Sequence, residues 1–139
     1  MSALTLAQAR ALIDQATAWA TQQFGRPVCV AVCDATGLLL AFARMDGAPL
    51  RSVAIAQGKA YSAARMGATT QAVLERLHRE RIEIGYFCDP QLTALPGGSP
   101  LKGPDGTLRG AIGVSGLAAA EDQQVTDHVA AQFAAQSAA

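Results

Sequence analysis

The chain is short of charge. Eleven basic and eleven acidic residues cancel to a formal net charge of zero, and charged residues make up only 16% of 139 positions. With no basic stripe there is no electrostatic footprint for nucleic acid, and with no acidic block there is no solvating tail. It is short of cysteine too: Cys29, Cys33 and Cys88 form neither a disulfide framework nor a metal-binding spacing. An odd count of unframed thiols fits a reducing, cytoplasmic compartment. No apolar run approaches the length of a membrane span, and no basic segment followed by an apolar core marks a secretory signal. These absences predict a single cytoplasmic domain over 1–139, with no nucleic-acid or membrane partner and no metal site.

Half of the residues are apolar, enough for a sizeable core. Low charge combined with many exposed alanines predicts that part of the surface is covered in a homo-oligomer.

The most informative stretch is 96–116, dense in glycine and proline. Pro104-Asp105-Gly106 reads as a tight turn, so 99–102 and 107–114 form a hairpin. Gly110 and Gly113 inside the second strand predict either a bulge or a close approach to the backbone. Ser115-Gly116 then leads into a helix, whose first N–H groups suit an anion.

Elsewhere the apolar spacing predicts a helix over about 5–24, with Thr5 and Gln8 as a weak capping box and Gly25 and Pro27 closing it. A buried strand follows at 28–33, then a turn at 34–37 and a second strand at 38–44. Cys29 and Cys33, four apart on the first strand, point to one face as small hydrophobes of the core or as pocket residues. A helix rich in small residues spans 52–66, and Thr70 caps another over about 70–79. Residues 80–91 read either as a short helix or as an extended linker, and 92–95 as a candidate short strand. The last helix runs from 118 to about 136, with Glu121 and Asp122 in its first turn. The order α-β-β-α-α-(β)-β-β-α, with every assignable strand connection a hairpin, predicts an α+β fold: one mainly antiparallel sheet flanked by helices.

Four features are candidates for a ligand site. Arg44 and Asp46 leave the second strand together, Lys59 sits among small residues on its helix, and Gly113-Val114-Ser115-Gly116 feeds a helix start. If they converge, an Arg fork, an amine and backbone N–H groups suit a planar carboxylate. Each has a plainer reading: Arg44 and Asp46 as a local pair, Lys59 as a solvated lysine, Tyr61 as a core tyrosine instead of a proton donor. A desolvated Lys59 would have a lowered pKa and could act as a base or nucleophile. Ser115 is not in a G-x-S-x-G elbow, which disfavours a Ser-His hydrolase.

Five segments in series resemble one known family. They are Val30-Ala31-Val32-Cys33-Asp34-Ala35-Thr36-Gly37, Ala43-Arg44-Met45-Asp46-Gly47-Ala48, Ala56-Gln57-Gly58-Lys59-Ala60, Pro96-Gly97-Gly98-Ser99-Pro100-Leu101, and Gly110-Ala111-Ile112-Gly113-Val114-Ser115-Gly116 with Asp122 after it. Over nearly the whole chain this pattern is similar to the GlcG/HbpS-like family, which includes the C-terminal domain of PduO-type proteins. The resemblance implies a sheet of about five strands flanked by helices, and assembly into homo-oligomers. It also implies a small-ligand-binding protein, with haem or a related tetrapyrrole as the candidate cofactor. Gly97 and Gly98 join Arg44, Lys59 and Gly113 to Gly116 as candidate ligand contacts, and Lys59, Arg44 and Asp46 are the candidate catalytic set. The alternative is a cofactor-independent isomerase or lyase acting on a small organic acid. In haem-binding relatives the resemblance implies an axial histidine near the first helix. This chain departs there: its two histidines are His78 and His128, each readable as a surface helix position, and the other ligand-type residues are Cys29, Cys33, Met45 and Tyr61.

Overall fold

The computed structural model describes residues 3–137; positions 1–2 and 138–139, the two ends of the domain read from sequence, lie outside them. The elements are α1 (Leu6–Phe24), β1 (Cys29–Asp34), β2 (Leu39–Arg44), α2 (Ser52–Met66), α3 (Thr70–Glu80), a single 3-10 turn (Ile84–Phe87), β3 (Gly98–Lys102), β4 (Leu108–Ser115) and α4 (Ala119–Ser137). The strands form one antiparallel sheet in the order β2-β1-β4-β3. The α+β class and the helix-flanked antiparallel sheet read from the sequence are those observed.

Local chemistry explains most boundaries. The Thr5 hydroxyl accepts from the Gln8 N–H at 3.1 Å while the Gln8 side chain accepts from the Thr5 N–H at 2.9 Å, a complete capping box. Between β1 and β2, one oxygen of Asp34 accepts from the N–H groups of Thr36 and Leu38 and from the Thr36 hydroxyl, fixing the turn. The β3–β4 turn closes with the Gly106 N–H donating to the Gly103 carbonyl at 2.9 Å.

Alternation along β1 divides the core into two layers. Val30 and Val32 lie with Val28 in the layer built by α1 and α4, among Leu12, Ile13, Val125, Val129 and Phe133. Cys29, Ala31 and Cys33 lie on the opposite face under α2, against Ala56, Ala60, Ala63 and Ala64. The two cysteines therefore share a face, as their spacing requires, and both are core residues. Apolar α1 and α4 side chains fill one side, whereas the small residues of α2 let that helix lie almost on the sheet.

Two details depart from expectation. The sheet has four strands, because 92–95 adopts no strand: the Leu92 N–H donates to the Asp89 carbonyl at 3.1 Å, the Thr93 N–H to the Ser62 hydroxyl at 2.8 Å and the Leu95 N–H to the Thr93 hydroxyl at 3.2 Å. Thr69, not Thr70, caps α3, accepting from the Ala72 N–H at 3.0 Å. Thr70 is buried and turned to the sheet, where its hydroxyl accepts from the Gly98 N–H at 2.9 Å. Of the two readings of Gly110 and Gly113, the close backbone approach is the one observed, and the irregularity in the β3–β4 ladder falls between Leu101 and Lys102.

Candidate functional site

Lys59 is fully buried. Its Nζ donates to the Val114 carbonyl at 2.9 Å and pairs with Asp122 Oδ2 at 3.1 Å. The other Asp122 oxygen accepts from the Leu117 N–H at 3.1 Å. Burial pushes the Lys59 amine below the usual lysine range and the Asp122 carboxyl above the usual carboxylate range, each opposed by attraction to the other.

The glycines packed around this pair serve the interior. Gly97 has φ +130°, a conformation glycine adopts without strain, and its N–H donates to Gln123 Oε1 at 2.7 Å. Gln123 Nε2 donates in turn to the Gly98 carbonyl at 3.1 Å, the Ser99 hydroxyl at 3.1 Å and Asp127 at 2.9 Å. A Cβ on Gly98 would strike the Lys59 carbonyl, and one on Gly113 would strike the Ala56 carbonyl and the Ala60 nitrogen. The buried Ser115 hydroxyl donates to the Ser52 hydroxyl at 3.1 Å, and Gly116 lies against Pro27. The structure thus brings Lys59, Gly97, Gly98, Gly113 and Val114 together, but around a closed polar interior and not around a cavity. The start of α4 is also occupied by its own residues: Asp122 takes the Leu117 N–H and Glu121 takes the Ala118 N–H at 3.1 Å.

Arg44 and Asp46 do not join this group. Both are exposed at the end of β2, and no ion pair links them among the described residues. Arg44 stands opposite Cys29, which stands opposite Ser115 on its other side. Burial raises the Cys29 thiol pKa, with the Arg44 charge opposing it.

An open cleft of 370 Å³ lies beside α2, between it and the β1–β2 hairpin. Its walls include Cys33 and Leu39 from the first hairpin, Gln57, Gly58 and Tyr61 from α2, and Gln91 from the loop before β3. Gln57 and Tyr61 are one helical turn apart, so the same side of α2 presents both. The Tyr61 hydroxyl donates to Asp89 Oδ2 at 2.6 Å, and the Arg65 guanidinium sits 5.0 Å from the Tyr61 ring centroid. The hydrogen bond to Asp89 raises the phenol pKa, and the same bond holds the Asp89 carboxyl below the usual range. Cys33 donates to the Ala60 carbonyl at 3.4 Å, and burial pushes its thiol up to about 12, so it is neutral at physiological pH.

The remaining ligand-type side chains are engaged or lie elsewhere. His78 is exposed on α3. His128 stacks on Trp19, with ring centroids 4.4 Å apart and planes 14° from parallel. Met45 Sδ accepts from the Val28 N–H at 3.4 Å. Sequence reasoning singled out Tyr61 but missed Asp89, Gln91 and Gln57 as its companions. The first two fall in a stretch with no periodic signal; the spacing of Gln57 and Tyr61 was the available clue.

Fold and cleft together define a class: an α+β protein with helices on both faces of one antiparallel sheet and a small open cleft on its central helix. The chain belongs to the HbpS-like family, whose model, described as haem degrading protein HbpS-like, matches residues 4–131. Protein GlcG of Escherichia coli K12 is 40% identical over 88 residues, which span 63% of this chain and 63% of GlcG. A double mutant of Streptomyces reticuli HbpS superposes with a TM-score of 0.83 at 31% identity, over 96% of this chain and 88% of that one. The structure of a PduOC:haem complex superposes with a TM-score of 0.80 at 26% identity, over 94% of each chain. These likenesses make the family a haem-related, ligand-binding one.

Proposed function

We propose that this protein binds a small ligand in the cleft on α2, and that the ligand is haem or a related carboxylate-bearing tetrapyrrole. The observation that carries this reading is Tyr61 on the cleft wall, its hydroxyl bonded to Asp89. Tyr61 is a ligand-type side chain that lines this cleft and is not sealed in the core. The cleft volume lies in the range of small-molecule sites, roughly 300–1,000 Å³, and suits one edge of a flat macrocycle with the remainder toward solvent. When bound, an iron porphyrin would supply a metal centre that accepts a phenolate. Tyr61 would hold the iron through its phenol oxygen, whose hydroxyl donates to Asp89 Oδ2 at 2.6 Å in this structure. Arg65, exposed beside the ring, is placed to meet a propionate. The haem complex of the PduOC relative supports the same ligand class. All three cysteines are free thiols, in keeping with a cytoplasmic location.

The second reading is a cofactor-independent isomerase or lyase centred on Lys59, with Arg44 and Asp46. The depressed pKa of Lys59 favours it. Against it, the amine has no exposure to solvent, and substrate would have to replace Asp122.

The test is a visible-absorption titration of the purified protein with haem. A saturable Soret band is expected. Tyr61→Phe is expected to weaken binding about tenfold or more, close to 1.4 kcal/mol, whereas His78→Ala and His128→Ala leave it unchanged. Absence of a saturable band, or a Tyr61→Phe protein identical to the parent, would overturn the reading.

A further inference from the structure

We infer that Gly58 is a specificity-determining residue of the cleft beside α2: its missing side chain keeps the gap between the helix and the Gln91 loop open to the edge of a planar conjugated ligand. This assignment rests on the ligand reading of that cleft and adds which residue sets the shape of what enters it.

Gly58 stands near the middle of α2 and is the only glycine inside an α-helix of the described residues. A glycine there loses more backbone freedom on folding than any other residue, and it weakens the helix relative to alanine. Packing supplies no reason for it. A Cβ on Gly98 or Gly113 would strike the α2 backbone, so the fold demands glycine at both positions. At Gly58 the nearest neighbours of a Cβ would be Thr93 Cγ2 at 3.7 Å and the Gln91 carbonyl oxygen at 3.8 Å, which are ordinary van der Waals contacts. Nor is its φ among the positive values that favour glycine. The ligand-free fold would accept alanine at 58 and gain from it.

What Gly58 borders is the cleft. Ala54, Gln57, Gly58 and Tyr61 all line it, at the spacing of one helix face. The two atoms nearest to the absent Cβ belong to the loop that forms the Gln91 wall. Three hydrogen bonds fix that wall against the helix. The Thr93 N–H donates to the Ser62 hydroxyl at 2.8 Å, the Ser62 hydroxyl donates to the Gly58 carbonyl at 2.7 Å, and the Tyr61 hydroxyl donates to Asp89. The loop is thus tied in place, and a methyl at 58 would narrow the gap between helix and loop, one turn from Tyr61. A local rule broken with no packing gain points to function. What enters such a gap has to be thin in one dimension, as a conjugated ring system is. Ala54, Ala60 and Leu39 give the cleft an apolar lining for the face of such a ring, while Gln57 and Gln91 offer amides to its polar edge.

The experiment compares Gly58→Ala with the parent in two measurements on the full chain. One is the urea midpoint of the ligand-free protein. The other is a fluorescence titration with protoporphyrin IX, a flat macrocycle that carries no iron, so that its binding does not depend on Tyr61 as a metal ligand. The midpoint is expected to rise with unchanged slope, while saturable protoporphyrin binding weakens about tenfold or more. A Gly58→Ala protein that fails to fold, or is less stable than the parent, shows that the fold itself requires the glycine and overturns the inference. So does a stable variant that binds protoporphyrin as tightly as the parent does. A parent that binds neither protoporphyrin nor haem overturns the ligand reading, and this inference with it; a parent that binds and a variant that binds equally overturn the inference alone.

Discussion

Lys59 shows how much one residue reveals and how much it conceals. Its setting among alanines and glycines made desolvation legible, but its partner lies 63 positions away on another helix, beyond the reach of local pattern. A buried ion pair contributes little net stability when intact, yet removing one partner leaves a charge stranded. Asp122→Ala is therefore expected to cost about 3–5 kcal/mol in urea unfolding, and Lys59→Met/Asp122→Leu clearly less than that. Asp34 gives a second, opposite case. Its carboxylate is held below the usual 3.8, first by the Thr36 hydroxyl and then by backbone N–H groups of its own turn. Because the folded pKa is the lower one, the folded state binds fewer protons in that window. The stabilisation is fully present above 3.8 and is lost as pH falls through the folded value. Urea midpoints measured from pH 6 to 2.5 are expected to fall more steeply at the acid end for the parent than for Asp34→Asn, which starts lower at pH 6.

At the scale of elements, α2 lies directly against β4. Gly113 has no room for a side chain because the α2 backbone at Ala56 and Ala60 occupies the space. Gly113→Ala must push the helix off the sheet, and the expected loss is about 3 kcal/mol, at the upper end for overpacking. An unchanged urea midpoint would contradict the contact. This approach was half legible: glycine inside a strand signals either a bulge or a near neighbour, and only the structure shows that the neighbour is a helix backbone. Helix ends were read to within a residue or two where caps are simple, as at Thr5 and Gly25. At α3 the cap read at Thr70 is made by Thr69, because Thr70 is turned to the sheet. Between α3 and β3 no period exists to be read, and Asp89 was invisible there for that reason.

For the whole molecule, turn chemistry made the two hairpins legible, whereas the pairing of β1 with β4 at the centre of the sheet did not follow from it. The division into an Ala-lined face and a Val/Leu/Phe-lined face was also present in the alternation of β1. The location of an open cleft was not, since it depends on how far α2 stops short of covering the β2 side. The glycine-rich hairpin drew attention as a ligand cradle because its composition suits one. In the folded chain its donors are spent on Gln123, Thr70 and the rest of the interior, so the density of glycine reflects tight packing and not an empty site.

The Lys59–Asp122 pair has a consequence for the order in which the protein is made. A ribosome delivers α2 and both hairpins before the carboxylate that neutralises the amine. Until the last helix emerges, closing the sheet over Lys59 would bury a bare charge, at a cost of several kcal/mol. The nascent chain is thereby discouraged from completing its core early, and the decisive closure waits for α4.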